Sequence, residues 1–139
     1  MKVVFDTNVL IAAFISRGGC NEILEHCVLF YEIILSRFIL DELKEKLTGK
    51  FGFSGSEVNN VIQLLKSRST IVQPDDLPSP LSRDPDDDNI IAAAIAGCCD
   101  CILTGDKDLL VLKQVSKIDI ILPNRFWEYE GSGINTEDV

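Results

Sequence analysis

Apolar residues fall along this chain in two kinds of run that alternate. Short continuous blocks, such as Val3–Phe5 and Ile33–Leu35, read as strands buried on both faces. Longer stretches repeat their apolar positions every three or four residues, the period of a helix with one buried side. In order, Lys2–Phe5 is a strand, followed by a helix through Val9–Ile15 that Asp6 or Thr7 is placed to cap. Arg17-Gly18-Gly19 breaks that helix, and Asn21–Phe30 forms the next. Glu32–Leu35 is the second strand, and Ser36 caps a helix running to about Leu47. A glycine-punctuated loop from Gly49 to Gly55 leads to a helix from Ser56 to about Ser67 and a strand at Thr70–Val72. Pro74–Pro85, rich in Pro, Asp and Ser, is the longest irregular connection. Asp86–Cys98 is so apolar that it predicts a helix buried on most sides. Strands at Cys101–Leu103 and Ile118–Leu122 flank a short helix at Lys107–Lys113, and Pro123–Tyr129 is a last helix. Residues 1–130 thus form one domain, and Gly131–Val139 has too little to bury and is expected to be a flexible tail.

Alternation of this kind predicts an α/β fold with a parallel sheet and right-handed crossovers. In such sheets ligands bind beyond the carboxyl ends of the strands, where strand order reverses. Asp6 directly follows the first strand, and Asp106 stands three residues after Leu103 ends the fourth. If those strands are neighbours at the reversal, the two carboxylates face each other across the crevice. Glu42 borders the apolar stripe of Ile39, Leu40, Leu43 and Leu47, whereas Asp41 points nearly opposite. Asp88 has Ile91, Ala92 and Ile95 at i+3, i+4 and i+7, which puts it at the rim of a buried face. Each acid also has an ordinary reading. Asp6 and Asp88 serve as helix caps, with Asp86 and Asp87 competing for the second cap, Glu42 is a solvated charge and Asp106 is a turn residue. Four carboxylates from four segments at one sheet edge are less easily set aside. Anions so grouped repel unless a hard divalent cation neutralises them, and Mg²⁺ or Mn²⁺ takes such oxygen ligands. The metal can then activate a water and stabilise charge on a phosphodiester, with Thr7, Asn8 and Thr104 orienting the ligands.

Composition narrows the field. The 139 residues suffice for one domain, and 46% apolar with 25% charged residues describe a folded protein. A net charge of −9 argues against a protein that coats nucleic acid, though less against a metal-dependent nuclease with an acidic site. No run reaches the roughly 20 apolar residues of a membrane helix, and the first apolar run, Val3–Phe5, meets Asp6 at once, so neither a membrane span nor a signal peptide is expected and the expected compartment is cytoplasmic. The five cysteines read as small buried hydrophobes in a reducing compartment, with a metal site at Cys98, Cys99 and Cys101 as the alternative. His26, the single histidine, reads as structural, which removes histidine-pair nuclease chemistry. Glycine-rich nucleotide-binding loops are absent.

Four blocks, VVFDTNVLIAAF, SRFILDELKEKL, DPDDDNIIAAAIAG and DCILTGDKDLL, occur in an order and spacing that resemble the PIN-domain ribonucleases, over residues 2 to 127. The similarity is greatest to the group regarded as toxins of toxin–antitoxin pairs. It implies a three-layer α/β/α sandwich with a five-stranded parallel sheet and a Mg²⁺- or Mn²⁺-dependent endoribonuclease acting on single-stranded RNA. Residue by residue, Asp6, Glu42, Asp88 and Asp106 match the family's four acids. Asp108 is a fifth, and Asp84, Asp86 and Asp87 compete for the third position. An antitoxin protein and a second copy of the chain are the implied partners, although no pattern marks an interface. Arg17, Arg37, Lys44 and Lys107 are the candidate contacts to RNA phosphates, against the reading of a solvated helix face. A phosphatase of similar topology would want an acid where this chain has Asn8, and a receiver domain would want an aspartate after the third strand, where Gln73-Pro74 stands. A non-catalytic module with an acidic cleft for a basic peptide is a third alternative.

Overall fold

The computed structural model describes the backbone of residues 1–137 and the side chains of residues 1–132. The strands are β1 (Lys2–Phe5), β2 (Glu32–Ser36), β3 (Ser69–Val72), β4 (Cys101–Leu103), β5 (Gln114–Val115) and β6 (Ile118–Ile121). The helices are α1 (Thr7–Ile15), α2 (Gly19–Phe30), α3 (Arg37–Gly49), α4 (Gly55–Arg68), α5 (Pro85–Ala96), α6 (Lys107–Leu110) and α7 (Phe126–Glu137). They form a three-layer α/β/α sandwich around one sheet of order β3-β2-β1-β4-β6-β5.

β1 lies near the middle, parallel to β2 on one side and to β4 on the other. The chain winds outward through β2 and β3, then crosses back to β4, so strand order reverses between β1 and β4. The Asp6 amide donates to the Leu103 carbonyl at 2.9 Å, which carries the pairing one residue past β1 and puts the two strand ends level. Val3, Val4, Phe5, Ile33, Leu35, Ile102 and Leu103 are fully buried, as apolar blocks between two helical layers should be.

The sheet has six strands where five parallel ones were expected. The extra strand, β5, runs antiparallel to β6, pairing Val115 with Ile118 and Gln114 with Asp119. Its two-residue turn is Ser116-Lys117, both at positive φ (49° and 68°). Such turns usually carry Asn-Gly, so this hairpin has no sequence signature. The C-terminal segment also differs from expectation. α7 continues to Glu137 rather than ending at Tyr129, while residues 138 and 139 of the expected tail lie outside the described residues. Glu130 explains the docking of its first turns: its carboxylate accepts the Tyr31 hydroxyl and bonds the His26 ring. The Tyr129 hydroxyl donates to Asp119 at 2.8 Å, and Phe126 is fully buried. His26 therefore ties α2 to α7, a structural task.

α5 packs on β1, β2 and β4. Its approach is close: a Cβ on Gly97 would stand 2.6 Å from Cγ2 of Ile34, a buried methyl that cannot swing away. At its other end Asp84 accepts the Asp86 amide as N-cap, and Pro85 fills the first helical position. Cys98 is exposed at φ 52°, whereas Cys99 and Cys101 are buried and their thiols pushed up by that burial. The cysteines supply apolar volume, and among the described residues they do not gather into a metal site. Nor is any described helix long and apolar enough to cross a membrane.

Candidate metal and active site

The carboxyl ends of β1 and β4 open into a pocket of about 160 Å³ lined by Asp6, Glu42, Asp84, Asp86, Asp87 and Asp106. Asn8 and Lys46 complete its polar wall. Asp6 arrives from the end of β1, Glu42 from the second turn of α3, Asp106 from just beyond β4, and the three others from the start of α5.

Asp6 starts α1 without capping it by its side chain. Its Oδ2 instead accepts the Thr104 hydroxyl at 2.6 Å, and Thr104 Oγ1 in turn accepts the Asp106 amide at 3.0 Å. One fully buried hydroxyl thus links the two acids at the reversal point. Asp106 also caps α6 by accepting the Asp108 amide at 2.8 Å. Thr7 is fully buried, and its hydroxyl has no partner among the described residues.

At the start of α5 the geometry departs from expectation. Asp87, not Asp88, lies on the buried face, with Ile90, Ile91 and Ala94 at i+3, i+4 and i+7, and it is only 5% exposed. Asp88 turns to the preceding loop, where its Oδ1 accepts the amides of Leu81 at 3.1 Å and Ser82 at 2.8 Å. The expected stripe is displaced by one residue, since Ile95 is 39% exposed while Ile90 and Ala94 are buried. Asp108 joins the acids: one carboxylate oxygen each from Asp87, Asp106 and Asp108 lie within 4.8 Å of one another.

Burial, then the charges of Asp106, Asp84 and Asp6, push the Asp87 carboxyl up to about 7. Burial likewise raises Asp6, with Glu42 and Asp106 adding to it against the hydrogen bonds from Thr104 and the Thr7 backbone. Burial is the main cause of both shifts, and the repulsion among neighbouring carboxylates adds to it. Among the described residues that line the pocket, Lys46 is the one cation against six carboxylates. An all-oxygen donor set with uncompensated negative charge fits a hard divalent cation, and Asp6, Glu42, Asp87, Asp106 and Asp108 are placed to hold it.

The other expected residues fall around this centre. Asn8 is exposed and its Oδ1 accepts from Lys46 Nζ at 3.2 Å. Arg17 and Lys44 are exposed and do not line the pocket, and Arg37 pairs with Asp41 at 3.7 Å along α3. Lys107 is exposed on α6, one residue from Asp106. Lys46, four residues on from Glu42 and hence on the same helical face, is the pocket cation, where the sequence pointed among the α3 lysines to Lys44.

A parallel sheet with acids gathered at its switch point defines a class of α/β proteins that bind a ligand or metal at that edge. A family model described as PIN domain matches residues 2–108, and the chain belongs to the PIN domain family, a family of nucleases. It is 36% identical over 126 residues to an uncharacterized protein of Methanocaldococcus jannaschii, covering 84% of this chain and 78% of that one. The fold is similar to that of VapBC2 from Rickettsia felis bound to a DNA fragment from their promoter, with TM-score 0.62, 17% identity, and 88% of this chain and 98% of that one covered. VapBC-1 from nontypeable Haemophilus influenzae gives TM-score 0.62 and 17% identity, over 89% and 99% of the two chains.

Proposed function

We propose that this protein is an endoribonuclease that hydrolyses phosphodiester bonds of single-stranded RNA with Mg²⁺ or Mn²⁺, and that it is the toxin of a toxin–antitoxin pair. The observation that carries the nuclease reading is the meeting of Asp6, Glu42, Asp87 and Asp106 in one pocket at the β1/β4 switch point of a PIN domain. The antitoxin rests on the resemblance to the toxin group and on the VapBC assemblies that share the fold.

When bound, the divalent cation supplies charge stabilisation for a phosphodiester and lowers the pKa of a water. The chain's own residues provide the rest. The Thr104 hydroxyl fixes the Asp6 carboxylate and, through the Asp106 amide, the turn that carries the second acid. Asp84 takes the helix cap, which leaves Asp87 free to face the pocket. Glu42 and Asp87, approaching from different helices, are placed to accept a proton from a water in the pocket.

The test is cleavage of a labelled single-stranded RNA. EDTA should abolish it, and Mg²⁺ or Mn²⁺ should restore it. Full cleavage in EDTA would sink the metal-dependent mechanism. Replacing Thr104 with Val keeps the side chain's shape and removes both hydrogen bonds. We expect kcat/KM to fall roughly 10- to 100-fold, as for other outer partners of a metal ligand. An undiminished kcat/KM would show that Asp6 needs no such support.

A further inference from the structure

We propose that Lys46 and Arg83 bracket the acidic pocket as two phosphate contacts, gripping the RNA backbone on either side of the bond to be cut. The proposal rests on the ribonuclease reading above and says where the strand lies. An overall charge of −9 with six carboxylates in the pocket repels a polyanion, so binding needs cations at the site itself.

Two are placed for it. Lys46 is half-buried in the pocket wall on α3, its Nζ resting on Asn8 Oδ1 at 3.2 Å. That partner is a neutral, exposed amide, and among the described residues no carboxylate forms an ion pair with the ammonium within 4.0 Å. Arg83 lies in the connection before α5, 88% exposed, with Nη1 4.0 Å from Asp108 Oδ1. Asp108 belongs with Asp87 and Asp106 to the close carboxylate group, so Arg83 touches that group from the connection before α5, while Lys46 lines the pocket from α3. In the sheet order β2-β1-β4, Lys46 belongs to the helix that follows β2 and Arg83 touches an acid that follows β4, with Asp6 at the end of the strand between them. A strand crossing from α3 to the α5 connection meets a cation, the carboxylates with their metal, and a second cation. A guanidinium offers a phosphate two parallel donors, and a lysine offers a compact point charge.

The probe is a fluorescein-labelled 12-nucleotide single-stranded RNA. Cleavage in Mg²⁺ gives KM and kcat, and anisotropy in an Asp6→Asn background gives affinity across salt concentrations. For Lys46→Met and for Arg83→Gln we expect KM to rise about 10-fold while kcat changes less than about 3-fold. The plot of log affinity against log salt should flatten by about 0.7 for each cation removed. Lys46→Arg should recover most of the loss, and Lys66→Met on α4 should change nothing.

If Lys46 only offsets the carboxylates, Lys46→Met will alter melting in EDTA and leave KM and the salt slope untouched, which would overturn its assignment. The same unchanged pair for Arg83→Gln would overturn the second contact. A protein that binds this RNA with these losses yet does not cut it would retain the bracket and refute the nuclease reading. A wild type that neither binds nor cuts would refute both.

Discussion

Asp87→Asn is expected to lower kcat/KM for RNA by more than about 100-fold, beyond the loss from an outer partner, while Asp88→Ala keeps activity within a few-fold of wild type. The two carboxyls are adjacent in sequence and do different work. Asp87 is buried in the pocket beside Asp106 and Asp6, so on the proposed reading the amide removes a ligand of the cation and a charge at once. Asp88 holds the loop through the Leu81 and Ser82 amides, so its loss is felt in stability, at about 1–2 kcal/mol for two hydrogen bonds near the surface. Cleavage rates with melting curves on both variants separate the effects. Inactive, well-folded Asp88→Ala beside active Asp87→Asn would make Asp88 the third acid after all.

In EDTA the melting temperature should fall as pH rises from 4 to 7 and level off above that. Asp87 keeps its proton up to about 7 in the folded protein but releases it near its ordinary 3.8 when unfolded. Between those values the folded state binds more protons, so raising the pH destabilises it, by at most roughly 1.4 kcal/mol per pH unit for one group. For a domain of this size that is about 3–5 °C per unit. The raised Asp6 acts in the same direction. Burial works against Glu130, but the hydrogen bonds from Tyr31 and His26 lower it below its ordinary 4.5, so it acts the other way only up to about that pH, at the low end of the window. Millimolar Mg²⁺ should remove the decline by binding the ionised carboxylates of the folded state alone. Asp87→Asn should flatten it without metal. A wild type whose melting in EDTA ignores pH from 4 to 8 would contradict the crowding of charge described here.

Much of this arrangement was legible in the chain. Asp6 and Asp106 could be placed because each follows a short apolar strand, and the parallel α/β rule sends both to one edge. Glu42 could be placed because α3 is amphipathic, with one clear stripe. The same logic slipped at α5, where IIAAAIA is apolar nearly all round and its periodicity does not choose between Asp87 and Asp88. What decides is tertiary: α5 packs on β1, β2 and β4 with Gly97 held close against Ile34, and the Asp84 cap sets where the helix begins. Lys46 was hidden differently, as one lysine among several on α3 until the pocket was built around it. The β5–β6 hairpin was unreadable because Ser116 and Lys117 hold a backbone that such residues seldom choose.

The pairing of β1 with β4 also governs when the pocket can exist during synthesis. Asp6 and its hydrogen-bond partner Thr104 are 98 positions apart. A ribosome makes β1 and β2 early, but the other edge of β1 stays bare until β4 emerges. Until then Asp6 lacks Thr104, and Asp106 has not been made. A fragment that stops before β4 therefore has half a sheet and no pocket, and any chemistry at this edge begins only once most of the domain is complete.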